Sequence, residues 1–128
     1  MFYYFAKTLE IPFDHAINKT VAGLEAEGFG VLTTIDVQKI LKKKLDVEFP
    51  KYTILGVCNP HFALKALQTE DKIGTMLPCN VIVRETDGGQ IEVAAVDPAA
   101  SMQAIENDEL GEIAGDVRTV LRRVVDAL

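Results

Sequence analysis

The chain has 128 residues, 48% of them hydrophobic and 25% charged. That balance suits a single domain, 1–128, with one core, and it excludes a disordered, collagen-like or disulfide-scaffolded chain. Thirteen Lys+Arg against nineteen Asp+Glu leave a net charge of -6, so the mean field repels phosphate backbones and argues against nucleic acid as a partner.

Phe2 to Leu9 is aromatic, β-branched or apolar and stops before Pro12, which predicts a first strand. Phe13, Ala16, Ile17, Thr20, Val21 and Leu24 then recur at helical spacing, and Gly28 supplies a left-handed exit, so a helix is expected over about 12–27. Phe29 to Ile35 reads as a second strand. Asp36 is placed to cap a helix whose predicted buried stripe is Val37, Ile40, Leu41 and Leu45, with Lys39, Lys42, Lys43 and Lys44 on its other face. Tyr52 to Cys58 carries little polarity and is expected as a central strand.

Asn59-Pro60 joins a favoured cap to a residue favoured in the first helical turn, so a helix should start there and run through Leu67. Gln68 to Thr75 reads as a loop. Cys79 to Glu85 and Ile91 to Val96 flank Asp87-Gly88-Gly89 and predict an antiparallel hairpin. A loop centred on 87–88 and one centred on 88–89 put opposite faces inward, and both leave plausible apolar sets. Asp97-Pro98 repeats the cap device for a short turn through Met102 and Ile105. Asn107 caps a final helix with a wide apolar stripe from Leu110 to Leu128. Helices alternate with strands in the first half and a hairpin follows, which predicts an α+β two-layer domain with a mixed five-stranded sheet packed against helices.

Leu55-Gly56-Val57-Cys58-Asn59-Pro60, Ala63, Ala66-Leu67, Gly74, Leu77-Pro78-Cys79-Asn80-Val81 and Asp97-Pro98 together resemble the family named domain of unknown function 302. The resemblance covers nearly the whole chain. It implies a small α+β domain found mostly in bacteria and archaea, alone or in tandem. It brings no settled activity and no catalytic residue.

Chemistry is suggested most by Cys58, just ahead of a predicted helix start, where free amides and the helix dipole favour a thiolate. With His61 three positions on and Cys79 opening another strand, the three form a candidate thiol site or a candidate soft-metal site. Against this stands the ordinary fate of free cysteines as small buried hydrophobes. Asn59, Asn80 and Asp97 are candidate ligand-binding residues beside helix starts, although capping alone accounts for Asn59 and Asp97. The lysines after Asp36 and the acids Glu106, Asp108, Glu109, Glu112 and Asp116 are accounted for as a solvated face and as dipole complementation.

No complete catalytic constellation is present and no cofactor is implied, so the sequence leaves the question of enzymatic activity open. The first reading is a binding or interaction module that associates with itself, as a homodimer, through a sheet edge or an apolar helix face. The second is a thiol enzyme, a sulfur or redox carrier, or a soft-metal-binding protein, built on Cys58, His61 and Cys79. Two cysteines without a secretory segment fit a reducing cytoplasm. No apolar run approaches the roughly eighteen residues of a membrane helix, so no membrane partner is expected, and a small-molecule ligand is left unidentified.

Overall fold

The structure, a computed structural model, describes residues 2–128. The chain runs β1 (Tyr4–Leu9), α1 (Phe13–Ala26), β2 (Gly30–Asp36), α2 (Val37–Leu45), β3 (Tyr52–Cys58), α3 (Pro60–Thr69), β4 (Cys79–Glu85), β5 (Ile91–Val96), α4 (Pro98–Ser101) and α5 (Asp108–Asp126). A short 3-10 turn, Ile73–Met76, breaks the segment expected as loop.

The α+β class and the five strands are as expected; the sheet is not mixed. Its order is β1-β5-β4-β3-β2, and every neighbouring pair is antiparallel. Strand–helix–strand alternation suggests parallel neighbours because crossovers return the chain in the same direction. Here α2 and α3 join adjacent antiparallel strands, so each helix is an excursion rather than a crossover. β1 and β2 lie at opposite edges with α1 between them in the chain.

One face of the sheet holds the core. Leu9, Leu55, Val57, Val81, Val83, Ile91, Val93 and Ala95 pack against Ala16 and Leu24 of α1 and Val117, Leu121, Val124 and Val125 of α5. Val57, Val83 and Val93 are wholly buried, each such side chain contributing about 1.5–3 kcal/mol. Arg123 of α5 reaches Glu27 at the end of α1 through two hydrogen bonds of 2.9 and 2.8 Å. Ala66, Ile73 and Leu110 form a second, smaller cluster under α3.

Two further expectations change. α2 is capped by Asp36, whose carboxylate accepts from the Lys39 amide at 3.0 Å, but it has no buried residue. Its apolar stripe is open, with Ile40 40% and Leu45 66% exposed. The hairpin loop is centred on Gly88, on neither 87–88 nor 88–89, since Glu85 pairs with Ile91. Thr86 and Gln90 close a three-residue loop through a 2.8 Å bond from the Thr86 amide to the Gln90 carbonyl, with Gly89 at φ +79. That register sets Val83 opposite Val93, so both strands turn their valines to the core.

Candidate functional site

The turn after β3 forms as the sequence predicts. Asn59 Oδ1 accepts from the amides of His61 at 3.1 Å and Phe62 at 3.5 Å, and Pro60 opens α3. The free amides expected to activate the thiol are therefore taken by the cap itself. Asn59 also lies against the turn at Gly28, whose φ is +86; a Cβ there would meet Asn59 Nδ2 at 3.1 Å.

Cys58 is half-buried and Cys79 buried, and both are free thiols. They line one small cavity of about 30 Å³ together with Asn59, Phe29, Phe62 and Leu77. That is room for roughly one water molecule, and the wall is apolar. Burial pushes the Cys58 thiol up. The Cys79 thiol is pushed up to about 11, by burial first and by the neighbouring Cys58 second. Both shifts favour the neutral thiol over the nucleophilic thiolate.

His61 is exposed and is not among the residues lining that cavity. Among the described residues, no three His, Cys, Asp or Glu side chains are placed to hold one metal ion. The structure thus brings Cys58 and Cys79 together and leaves His61 outside. Asp97 lines a different cavity; its Oδ1 accepts from the Ala99 amide and its Oδ2 from Arg118 Nε, both at 3.0 Å. Asn80 is exposed on β4, opposite Gly56.

The outward face of the sheet shows what the sequence reading missed. Ile35 pairs with Ile54, Ile54 with Ile82, Ile82 with Ala94, and Ala94 with Ala6. One apolar row therefore crosses all five strands, with Ile82 of the middle strand at its centre. None of its members joins the main core cluster, because strand alternation points them away from α1 and α5, although Ala94 is buried. Beside the row stand Tyr4, Asn80, Gly56 and Thr33 on one side and Thr8, Glu92, Arg84 and Tyr52 on the other. Arg84 Nε donates to Glu92 Oε1 at 2.8 Å, so the charges on these three rows cancel. The ring of Phe49, after α2, approaches that of Tyr52 at 6.3 Å and extends the apolar surface toward the open helix. Apolar runs in β3 to β5 were the available signal; register was needed to join them.

Comparison with known proteins fixes the setting. The family model described as Domain of unknown function DUF302 matches residues 5–128. The crystal structure of an uncharacterized conserved protein DUF302 from Bacillus stearothermophilus superposes with a TM-score of 0.91 at 27% identity, covering 98% of each chain. An uncharacterized protein of Aquifex aeolicus (strain VF5) is 26% identical over 87 residues, a stretch that covers 68% of this chain and 54% of that protein. This chain therefore matches only about half the length of that relative.

Proposed function

The chain belongs to the DUF302 family, and from that premise we propose that it is a self-associating module whose second copy covers the outward face of the sheet. The observation that carries the reading is the apolar row Ala6–Ala94–Ile82–Ile54–Ile35 on the face without core helices. Ala6 and Ile35 at its ends are exposed, Ile54 and Ile82 are half-buried and Ala94 is buried, and an apolar strip that core helices leave uncovered can serve as an interaction site.

The occupant follows from volume and charge. A two-fold axis along β4 sets Ile82 against Ile82 of the partner subunit and lays the isoleucine half of one row over the alanine half of the other. Large side chains then fill the space above small ones, as face-to-face sheet packing requires. The chain carries a net charge of -6, yet these outward rows hold one Arg and one Glu that already pair. The axis that joins the two copies of Ile82 also sets Arg84 against its counterpart in the partner subunit, and each is offset by Glu92 of its own chain. Such a dimer, held in a reducing cytoplasm where both cysteines stay free, is the activity proposed.

Sedimentation equilibrium decides it. Wild-type protein at about 0.1 mM, a concentration at which even modest affinities register, should be dimeric. Ile82→Asp and Ile35→Lys should each weaken dimerisation by about 100-fold or more, the loss typical of charge placed in an interface core, while circular dichroism stays unchanged. A wild-type chain that sediments as monomer throughout, or variants that dimerise as well as wild type, ends the proposal.

A further inference from the structure

A second surface, at the start of β1, is chemically unlike the apolar row. A groove of about 570 Å³ lies between β1, α4 and α5, lined by Phe2, Tyr4, Phe5, Gln103, Arg118 and Arg122, with Asp97 at its base. Its volume falls in the range of small-molecule sites, roughly 300–1,000 Å³. Arg118 and Arg122, one helical turn apart on α5, both stand over the Phe5 ring, at 5.2 and 5.7 Å from its centroid.

The two guanidinium groups are incompletely satisfied by the protein. Arg118 donates from Nε to Asp97 Oδ2 at 3.0 Å, and this is the hydrogen bond it makes among the described side chains. Among the described residues its terminal amino groups find no partner. Arg122 Nε lies 3.9 Å from Asp126 Oδ2, beyond hydrogen-bond reach. Asp97, 10% exposed, offsets the charge of Arg118, so among the lining side chains the net positive charge is that of Arg122. Two converging arginines with donors unused among the described residues match the oxygens of a phosphate or carboxylate.

The remaining wall is aromatic. Phe2 and Tyr4 meet edge to face, centroids 5.9 Å apart at 80°, with Phe2 76% exposed. An exposed ring face stacks on flat ligands of any sequence or substitution. We propose that this groove binds a small ligand with an oxyanion at one end and a flat ring at the other, the pattern of a nucleoside monophosphate. The arginines take the oxyanion and Phe2 with Tyr4 takes the ring. The groove shares Tyr4 with the flank of the outward face, but none of the central row residues lines it.

Titration followed by backbone amide NMR tests it, with adenosine monophosphate, adenosine and inorganic phosphate as probes. Adenosine monophosphate should give saturable shifts at Phe5, Gln103, Arg118 and Arg122, bind more tightly than either part, and weaken as salt screens the charges. Two substitutions at exposed positions separate the ends. Arg122→Gln should weaken adenosine monophosphate about tenfold, near 1.4 kcal/mol; Phe2→Ala should weaken it while leaving phosphate unchanged. The absence of saturable shifts, adenosine binding as tightly as its monophosphate, or an unaffected Arg122→Gln variant overturns the site. Phosphate binding as tightly as adenosine monophosphate overturns the two-ended ligand.

Discussion

Cys58 and Cys79 show how one residue's place along a strand decides its chemistry. Val57 faces Cys79 across the β3–β4 pair, and Cys58 comes one position later, beside the apolar cavity both thiols line. A thiol in such surroundings is held neutral, which makes stability depend on alkaline pH with a definite sign. The folded chain holds Cys79 up to about 11, against an unfolded value near 8.5. A raised folded value means the stabilisation is complete below the unfolded pKa and is lost as pH climbs through the folded one. Other groups titrate in the same window, so the readout is a difference: the thermal midpoint of wild type minus that of Cys79→Ala, followed from pH 8 to 11. The gap should narrow steadily as pH rises. A gap that is constant or widens contradicts a neutral, buried Cys79. Iodoacetamide should likewise label the native thiols more slowly near neutral pH than it labels free cysteine.

At the scale of elements, what was legible in the sequence was whatever is decided locally. Caps are the clearest case, since Asn59, Asp97 and Asn107 each accept from amides two or three residues on, and a cap needs only those few residues to act. Asn59→Ala should therefore cost about 1 kcal/mol, read as a lower urea midpoint with an unchanged slope. Because Asn59 also packs on Gly28, a cost well above that figure would show that the α1 exit leans on it; no cost at all would mean the amides find water instead. Strands β3, β4 and β5 were equally legible from their apolar runs. The hairpin register was not, because composition offers Gly88 and Gly89 to several turn types, and the choice is made by the need to turn Val83 and Val93 to the same face. The direction of neighbouring strands was hidden for a similar reason. A helix between two strands fits a parallel crossover or an antiparallel excursion, and only the full sheet order tells them apart. α2 was misread in another way: its stripe is amphipathic, but amphipathicity says that a face seeks cover without saying that this chain supplies it.

At the scale of the whole molecule the same limit explains why the candidate site was only half visible. The thiol pair is brought together against apolar walls with Cys58 half-buried and Cys79 buried, while the outward row was invisible until pairing aligned residues from five separate segments. The charge distribution distinguishes the proposed dimer from the other association the surface permits, in which Lys39, Lys42, Lys43 and Lys44 of one copy meet Glu109, Glu112 and Asp116 of another. An ionic contact of that kind lies on exposed side chains and dissolves as salt rises, since screening shortens to about 3 Å at 1 M. Burial of the apolar row responds in the opposite sense. Its charges already pair within each copy, added salt relieves the repulsion between two chains of net charge -6, and exclusion of strongly hydrated salts from apolar surface favours contact. Dimer affinity measured by sedimentation should accordingly hold or rise between about 0.05 and 1 M salt, most visibly with sulfate. Dissociation over that range would assign the association to the lysine face and leave the sheet face without its partner.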